Sequence, residues 1–180
     1  MTVTDESTLL LLKPDAVERR LVGTILHRVE RLDITVTDLA MRNVTDGMAR
    51  KHYLASDRQL RGMGTKLLAA TSGMGISVAD KFGTDDPVAL GALIFEGNVR
   101  YLLAGPVVAA MVQGPAAISK IRRLCGATLP CDAAPGTIRG DLGNAGVAQI
   151  WSGDMTVHNL VHSSDDRGEA EREIALWFHR

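Results

Sequence analysis

Aromatic side chains are scarce in this chain, at 4% of its 180 residues. Single-stranded nucleic acid needs aromatic platforms to stack on. The formal net charge of −1 gives no electrostatic footprint for a phosphate backbone either. Cysteine is scarcer still. Cys125 and Cys131 are the only two and form no CxxC pair, so neither a disulfide framework nor a sulfur-rich zinc site follows. The opening MTVTDESTLLLLKPD has no basic stretch, and its apolar run 9–12 is far too short to span a membrane. The expectation is a cytoplasmic protein, with no membrane partner and no general affinity for nucleic acid. A P-loop is missing too: Gly62-Met63-Gly64 and Gly73-Met74-Gly75 are not followed by the Gly-Lys-Ser/Thr that grips a nucleotide's phosphates. The five histidines, His27, His52, His158, His162 and His179, form no HExxH pair, so no resident metal is expected.

What is present suits one globular domain over 1–180: 46% hydrophobic and 23% charged residues, on a chain long enough for a real core. The apolar run 8–12 stops at Lys13-Pro14-Asp15 and reads as a buried first strand. Ile25, Val29 and Leu32 recur at helix spacing, and Ile34, Val36, Leu39 and Met41 mark a second strand. Thr45 starts a short helix that ends near Tyr53. The stretch 55–98 is rich in Gly, Ala and Met and only weakly periodic, with a helical turn or more at 66–70 and a helix from about 88 to 103. It reads as an insertion. A strand at 107–112 follows, then a helix from Gly114-Pro115 to Leu124, an irregular loop bounded by Pro130 and Pro135, and a glycine-rich passage over 140–153. A last strand is expected at 157–161. Asp166 and Glu169, at capping-box spacing, open a helix with Ala170, Ile174, Trp177 and Phe178 on its apolar face. The order suggests an α/β sheet with helices on one side.

The last strand leads into Asn159-Leu160-Val161-His162-Ser163-Ser164-Asp165. Taken alone, His162 has three readings: a packed histidine, a metal ligand or a nucleophile. Its surroundings decide. LLLLKPDAVERRLVG at 9–23, AGPVVAAMVQG at 104–114, GATLPCDAAPGTIRGD at 126–141, and NLVHSSD with EREIALWF at 159–165 and 171–178 occur in one order. With these four blocks the chain resembles the nucleoside diphosphate kinase family.

The resemblance implies a ferredoxin-like antiparallel sheet covered by helices. It implies γ-phosphoryl transfer from a nucleoside triphosphate to a nucleoside diphosphate through a phosphohistidine. By family position His162 is the acceptor, Glu173 holds its imidazole and Ser164 supports Glu173. Lys13, Arg122 and Arg139 match cations that contact phosphate, a task that suits arginine forks and a lysine fixed at a strand end. Thr128 matches a phosphate donor, Asn159 a residue at the sugar hydroxyls and Tyr53 a ring beside the imidazole. Read without the resemblance, Arg122-Arg123 is a solvated helix end, Asn159 caps a loop and Tyr53 closes a short helix. Mg²⁺ is expected to arrive on the nucleotide phosphates, and the family likeness implies a homo-oligomer.

The sequence departs from the family in two insertions, around 55–98 and 142–155, and in Ser163, where glycine is more usual. The family's base-stacking phenylalanine falls at Ile94 when counted back from Gly105-Pro106. Phe95 and Phe82 are the other candidates for that platform, and the sequence does not choose among them. The displaced aromatic and the insertions motivate a rival reading, a catalytically impaired nucleotide-binding regulator.

Overall fold

Four consecutive leucines, Leu9 to Leu12, are fully buried. In a strand successive side chains point to opposite faces, so an unbroken apolar run demands cover on both. That demand is met in the computed structural model, which describes residues 5–73, 75 and 77–178. Met74 of the second Gly-Met-Gly stretch and His179 lie outside the described residues. Strand β1 (Asp5–Leu12) leads into α1 (Pro14–Glu18) and α2 (Val22–Glu30), then β2 (Thr35–Arg42) and α3 (Asp46–Tyr53). Three helices follow: α4 (Asp57–Thr71), α5 (Val78–Phe82) and α6 (Pro87–Leu103). Then come β3 (Val107–Pro115), α7 (Ala117–Cys125), a short helical turn at Pro130–Asp132, α8 (Ile138–Leu142), a single turn α9 (Val147–Gln149) and a wide irregular turn at Ile150–Asp154. Strand β4 (Val161–Ser163) and α10 (Arg167–Phe178) end the described chain.

The strands form one sheet in the order β2-β3-β1-β4. Every pairing is antiparallel. Leu10 and Leu12 face Ile25 and Val29 of α2 and Ile121 of α7. Leu9 and Leu11 face Ala49 of α3, Val99 and Leu102 of α6 and Trp177 of α10. Helices therefore cover both faces, where the element order alone suggested one. The leucine run carried the correct signal.

The stretch 55–98 is more regular than expected. Ser56 caps α4, its hydroxyl accepting from the Gln59 amide at 3.4 Å. Two of the glycines in this stretch serve a close helix crossing. A Cβ on Gly64 would sit 2.0 Å from the Pro87 carbonyl oxygen, and one on Gly91 would sit 1.9 Å from that of Leu60. Leu67, Val78 and Leu90 from this stretch share a third apolar cluster with Ala145, Ile150, Met155 and Val157. The two stretches expected as insertions thus pack on each other.

The last strand is displaced from its expected position at 157–161. β4 starts at Val161 because Leu160 takes a left-handed φ of 68°. Its amide donates to Asp15 Oδ2 at 3.1 Å, and its carbonyl accepts from the Lys13 amide at 2.8 Å. Pairing with β1 then puts His162 opposite Leu11, inside the strand. Ser163 is not among the residues of positive φ, so replacing glycine there strains nothing.

Candidate active site

Four elements bring the expected residues together. His162 comes from β4, Glu173 from α10 and Tyr53 from the end of α3, while Lys13 directly follows β1. His162 Nε2 lies 2.9 Å from Glu173 Oε1. The Ser164 hydroxyl donates to Glu173 Oε2 at 2.7 Å and accepts from the Leu9 amide at 3.3 Å. An ionised carboxylate only accepts, so the Nε2 proton points to Glu173 and Nδ1 keeps its lone pair. Burial first, then the Lys13 ammonium, pulls the His162 pKa well below the usual imidazole range. The ring is neutral near pH 7, and 23% of its side chain remains exposed. Burial raises the Glu173 carboxyl, while His52, Ser164 and Arg172 pull it the other way.

Asn159 ties the cationic side of the site together. Its Oδ1 accepts from Lys13 Nζ at 2.8 Å, and its Nδ2 donates to the Thr128 carbonyl at 2.9 Å. Its own carbonyl accepts from Arg139 Nε at 3.2 Å. Arg139 also donates to the carbonyls of Gly126 at 2.7 Å, Ala127 at 3.4 Å and Val161 at 2.7 Å. Those four bonds use four of its five N–H groups. Arg139 therefore fixes the loop after α7 against the strand that carries His162. Burial, reinforced by Arg139, lowers the Lys13 pKa to about 7. Arg122 is half-exposed and pairs with the exposed carboxylate of Asp165. Surface pairs of this kind are worth about 0–1 kcal/mol, so a phosphate can displace Asp165.

Tyr53 packs beside His52, ring centroids 4.9 Å apart, with its hydroxyl buried. Of the three candidates for the base platform, Phe95 packs into the sheet-facing cluster under the guanidinium of Arg50. Ile94 and Phe82 pack on the third cluster beside Leu129, the neighbour of Thr128. Phe95 and Ile94 thus serve different layers.

Sequence reasoning missed His52 and Arg172. His52 is fully buried, its ring edge-on to that of His162 at 4.5 Å. Its Nδ1 accepts from Trp177 Nε1 at 3.4 Å and lies 3.7 Å from Glu173 Oε1. Arg172 donates to the last carbonyls of α3, those of Lys51 at 2.8 Å and His52 at 3.0 Å, and approaches Glu173 Oε1 at 3.4 Å. The pairs His52-Tyr53 and Arg172-Glu173 were the available signal, since each missed residue adjoins one that was named. His158, four residues before His162, stacks instead on Tyr101 at 4.3 Å.

A family model described as nucleoside diphosphate kinase matches residues 6–63 and 88–180. The unmatched stretch, 64–87, is narrower than the insertion expected at 55–98, and 142–155 falls within the match. A nucleoside diphosphate kinase of Pyrobaculum aerophilum is 43% identical over 173 residues, 96% of this chain and 94% of that one. One of Mycolicibacterium vanbaalenii is 38% identical over 174 residues, 96% of each chain. The crystal structure of an NDP kinase from Pyrobaculum aerophilum superposes with a TM-score of 0.93 at 40% identity, covering 98% of this chain and 97% of that chain. That coverage extends through 64–87, so the added stretch has a counterpart there. A Borrelia burgdorferi nucleoside-diphosphate kinase, described as a transition-state mimic with bound vanadate and ADP, superposes with a TM-score of 0.73 at 28% identity over 97% of this chain and 87% of that one. With the family model matched over most of its length, the chain belongs to the nucleoside diphosphate kinase family.

Proposed function

We propose that this chain transfers the γ-phosphoryl group of a nucleoside triphosphate to a nucleoside diphosphate by way of phosphorylated His162. The observation that carries this reading is the bond of His162 Nε2 to Glu173. It leaves Nδ1 as the nucleophilic nitrogen of a neutral ring. Nδ1 attacks phosphorus in line, an N–P bond forms, and the P–O bond to the departing diphosphate breaks with its electron pair. The ring becomes cationic, and Glu173 stabilises that charge without moving a proton. A second diphosphate then takes the phosphoryl group by the reverse step, so one site works in two halves.

Lys13, Arg122, Arg139 and Thr128 are read as the phosphate contacts, acting through charge and position. Asn159 aligns Lys13 and reaches the sugar. Ile94 and Phe82, on the apolar cluster beside Leu129, are read as the surface that meets the base. The donors around the phosphate position are mostly cations, and Asp165 is paired with Arg122. Such a set suits Mg²⁺ carried in on phosphate oxygens, since that ion keeps oxygen ligands and water. When bound, the ion offsets phosphate charge. Against the rival reading, an impaired regulator, stands the intact pair of His162 and Glu173.

We also read the chain as a cytoplasmic homo-oligomer. Among the described residues no helix is long and apolar enough to cross a membrane. Strand β2, at one edge of the sheet, exposes Leu39 and Met41 and offers a surface to a second copy. The test of the activity is labelling with γ-³²P-ATP and Mg²⁺, followed by a GDP chase. Wild type is expected to hold acid-labile label and pass it to GTP, and His162→Ala to take none. Full transfer by His162→Ala would overturn the assignment.

A further inference from the structure

His52 is not needed for the transfer step, yet its imidazole is fully buried beside the nucleophile, with Nδ1 near Glu173 and accepting from Trp177 Nε1. One ligand atom each from His52, His162 and Glu173 lies within 4.8 Å of the other two. We propose that these three side chains form an inhibitory site for a divalent transition metal of the Zn²⁺ or Co²⁺ class.

The distances carry the proposal. Glu173 Oε1 lies 2.9 Å from His162 Nε2 and 3.7 Å from His52 Nδ1. A tetrahedral ion with ligands at about 2.0–2.1 Å spaces them roughly 3.3 Å apart. The two observed edges straddle that value and the third lies within 4.8 Å, and closing the cage exchanges the Trp177 N–H at His52 Nδ1 for the ion. Two imidazoles and one carboxylate are also a ligand set that such ions take, with water in the fourth position. Mg²⁺ prefers an all-oxygen octahedron and does not compete for it. Arg172, 3.4 Å from the same carboxylate oxygen, opposes any cation there, as do Lys13 and Arg139 through space. The site therefore selects ions that gain most from imidazole nitrogen.

Capture of the ion inverts the tautomer of His162. The Nε2 proton gives way to the metal, and the neutral ring carries its proton on Nδ1. No proton leaves the ring and nothing is oxidised. Nδ1 then has no lone pair for phosphorus, so the bound metal blocks phosphorylation. The inhibition rests on the reading of His162 as nucleophile. Capture of the metal does not.

The experiment titrates Co²⁺ into the nucleotide-free chain and follows visible absorption, which is far more intense for tetrahedral than for octahedral Co²⁺. Wild type is expected to develop the tetrahedral band, and His52→Gln to weaken Co²⁺ binding by more than the ~10–100-fold that loss of an outer-shell partner costs. His162→Ala, which removes a second ligand, is expected to lose the band in the same way. This arm keeps His52, so it stands even if His52→Gln fails to fold. Absence of the band in wild type overturns the proposal, as does an unchanged band in either variant. Labelling without Co²⁺ tests the kinase reading separately. If it fails, the band and its response to His52→Gln still decide the metal site.

Discussion

A histidine with one nitrogen engaged and its pKa held low stays a nucleophile where a free imidazole would be protonated. At the scale of single residues the first expectation concerns that engagement. Glu173→Gln keeps a hydrogen-bond acceptor for Nε2 but removes the charge that stabilises the phosphorylated ring. Nucleotide affinity should persist while transfer slows by ~10²-fold or more, in the range of general electrostatic losses. Stopped-flow measurement of phosphoenzyme formation checks this, and unchanged turnover would mean that another group orients the ring. The second expectation concerns Lys13, whose pKa of about 7 leaves it largely uncharged at pH 8 in the free protein. A bound phosphate favours the ammonium, so nucleotide binding should take up a proton at that pH. Calorimetry in buffers of different ionisation enthalpy reads the uptake. It should vanish in Lys13→Met, and its absence in wild type would contradict the buried-lysine account.

At the scale of elements, the helices α4 and α6 approach closely enough that backbone meets backbone at Gly64 and Gly91. Gly91→Ala would drive its Cβ into the Leu60 carbonyl and force the helices apart. Overpacking of this kind costs about 1–3 kcal/mol. Thermal unfolding should show a clear fall in midpoint, and an unchanged midpoint would contradict the packing described. The same crossing explains why α4 was hard to read from sequence. Its glycines answer to a partner distant in sequence, and local propensity cannot see that partner. The leucine run of β1, the capping pair Asp166 and Glu169 and the apolar face of α10 were legible because each signal is local. The Glu169 amide does donate to Asp166 Oδ1, at 2.9 Å. The true start of β4 was hidden, because it depends on the left-handed turn at Leu160, held by Asp15 from the other end of the chain.

At the scale of the whole molecule, two neutral histidines, His52 buried and His162 partly buried, meet at the junction of β4, α3 and α10. Both have pKa values pulled below the usual range, His52 chiefly by burial. An unfolded chain takes up protons on these groups as pH falls below about 6.5, and the folded chain refuses them. Stability should therefore fall as pH drops from about 6.5. Glu173, with its pKa raised by burial, works in the opposite sense further down and offsets part of the loss. Denaturant melts across that window check the slope, and a flat profile would argue that these rings are solvated. The four sequence blocks pointed to His162, Glu173, Ser164, Lys13, Asn159 and Arg139, which lie together in the fold. His52 escaped notice because its role depends on tertiary contact with Trp177, Glu173 and His162.

The central claim is that Glu173 occupies Nε2 and leaves Nδ1 to attack. The measurement that tests it most directly is identification of the phosphorylated nitrogen in enzyme labelled by Mg·ATP, after alkaline digestion to separate the two phosphohistidine isomers. The account predicts Nδ1-phosphohistidine at His162, in a pool that GDP fully discharges. Phosphate on Nε2, or on any other residue, would contradict it.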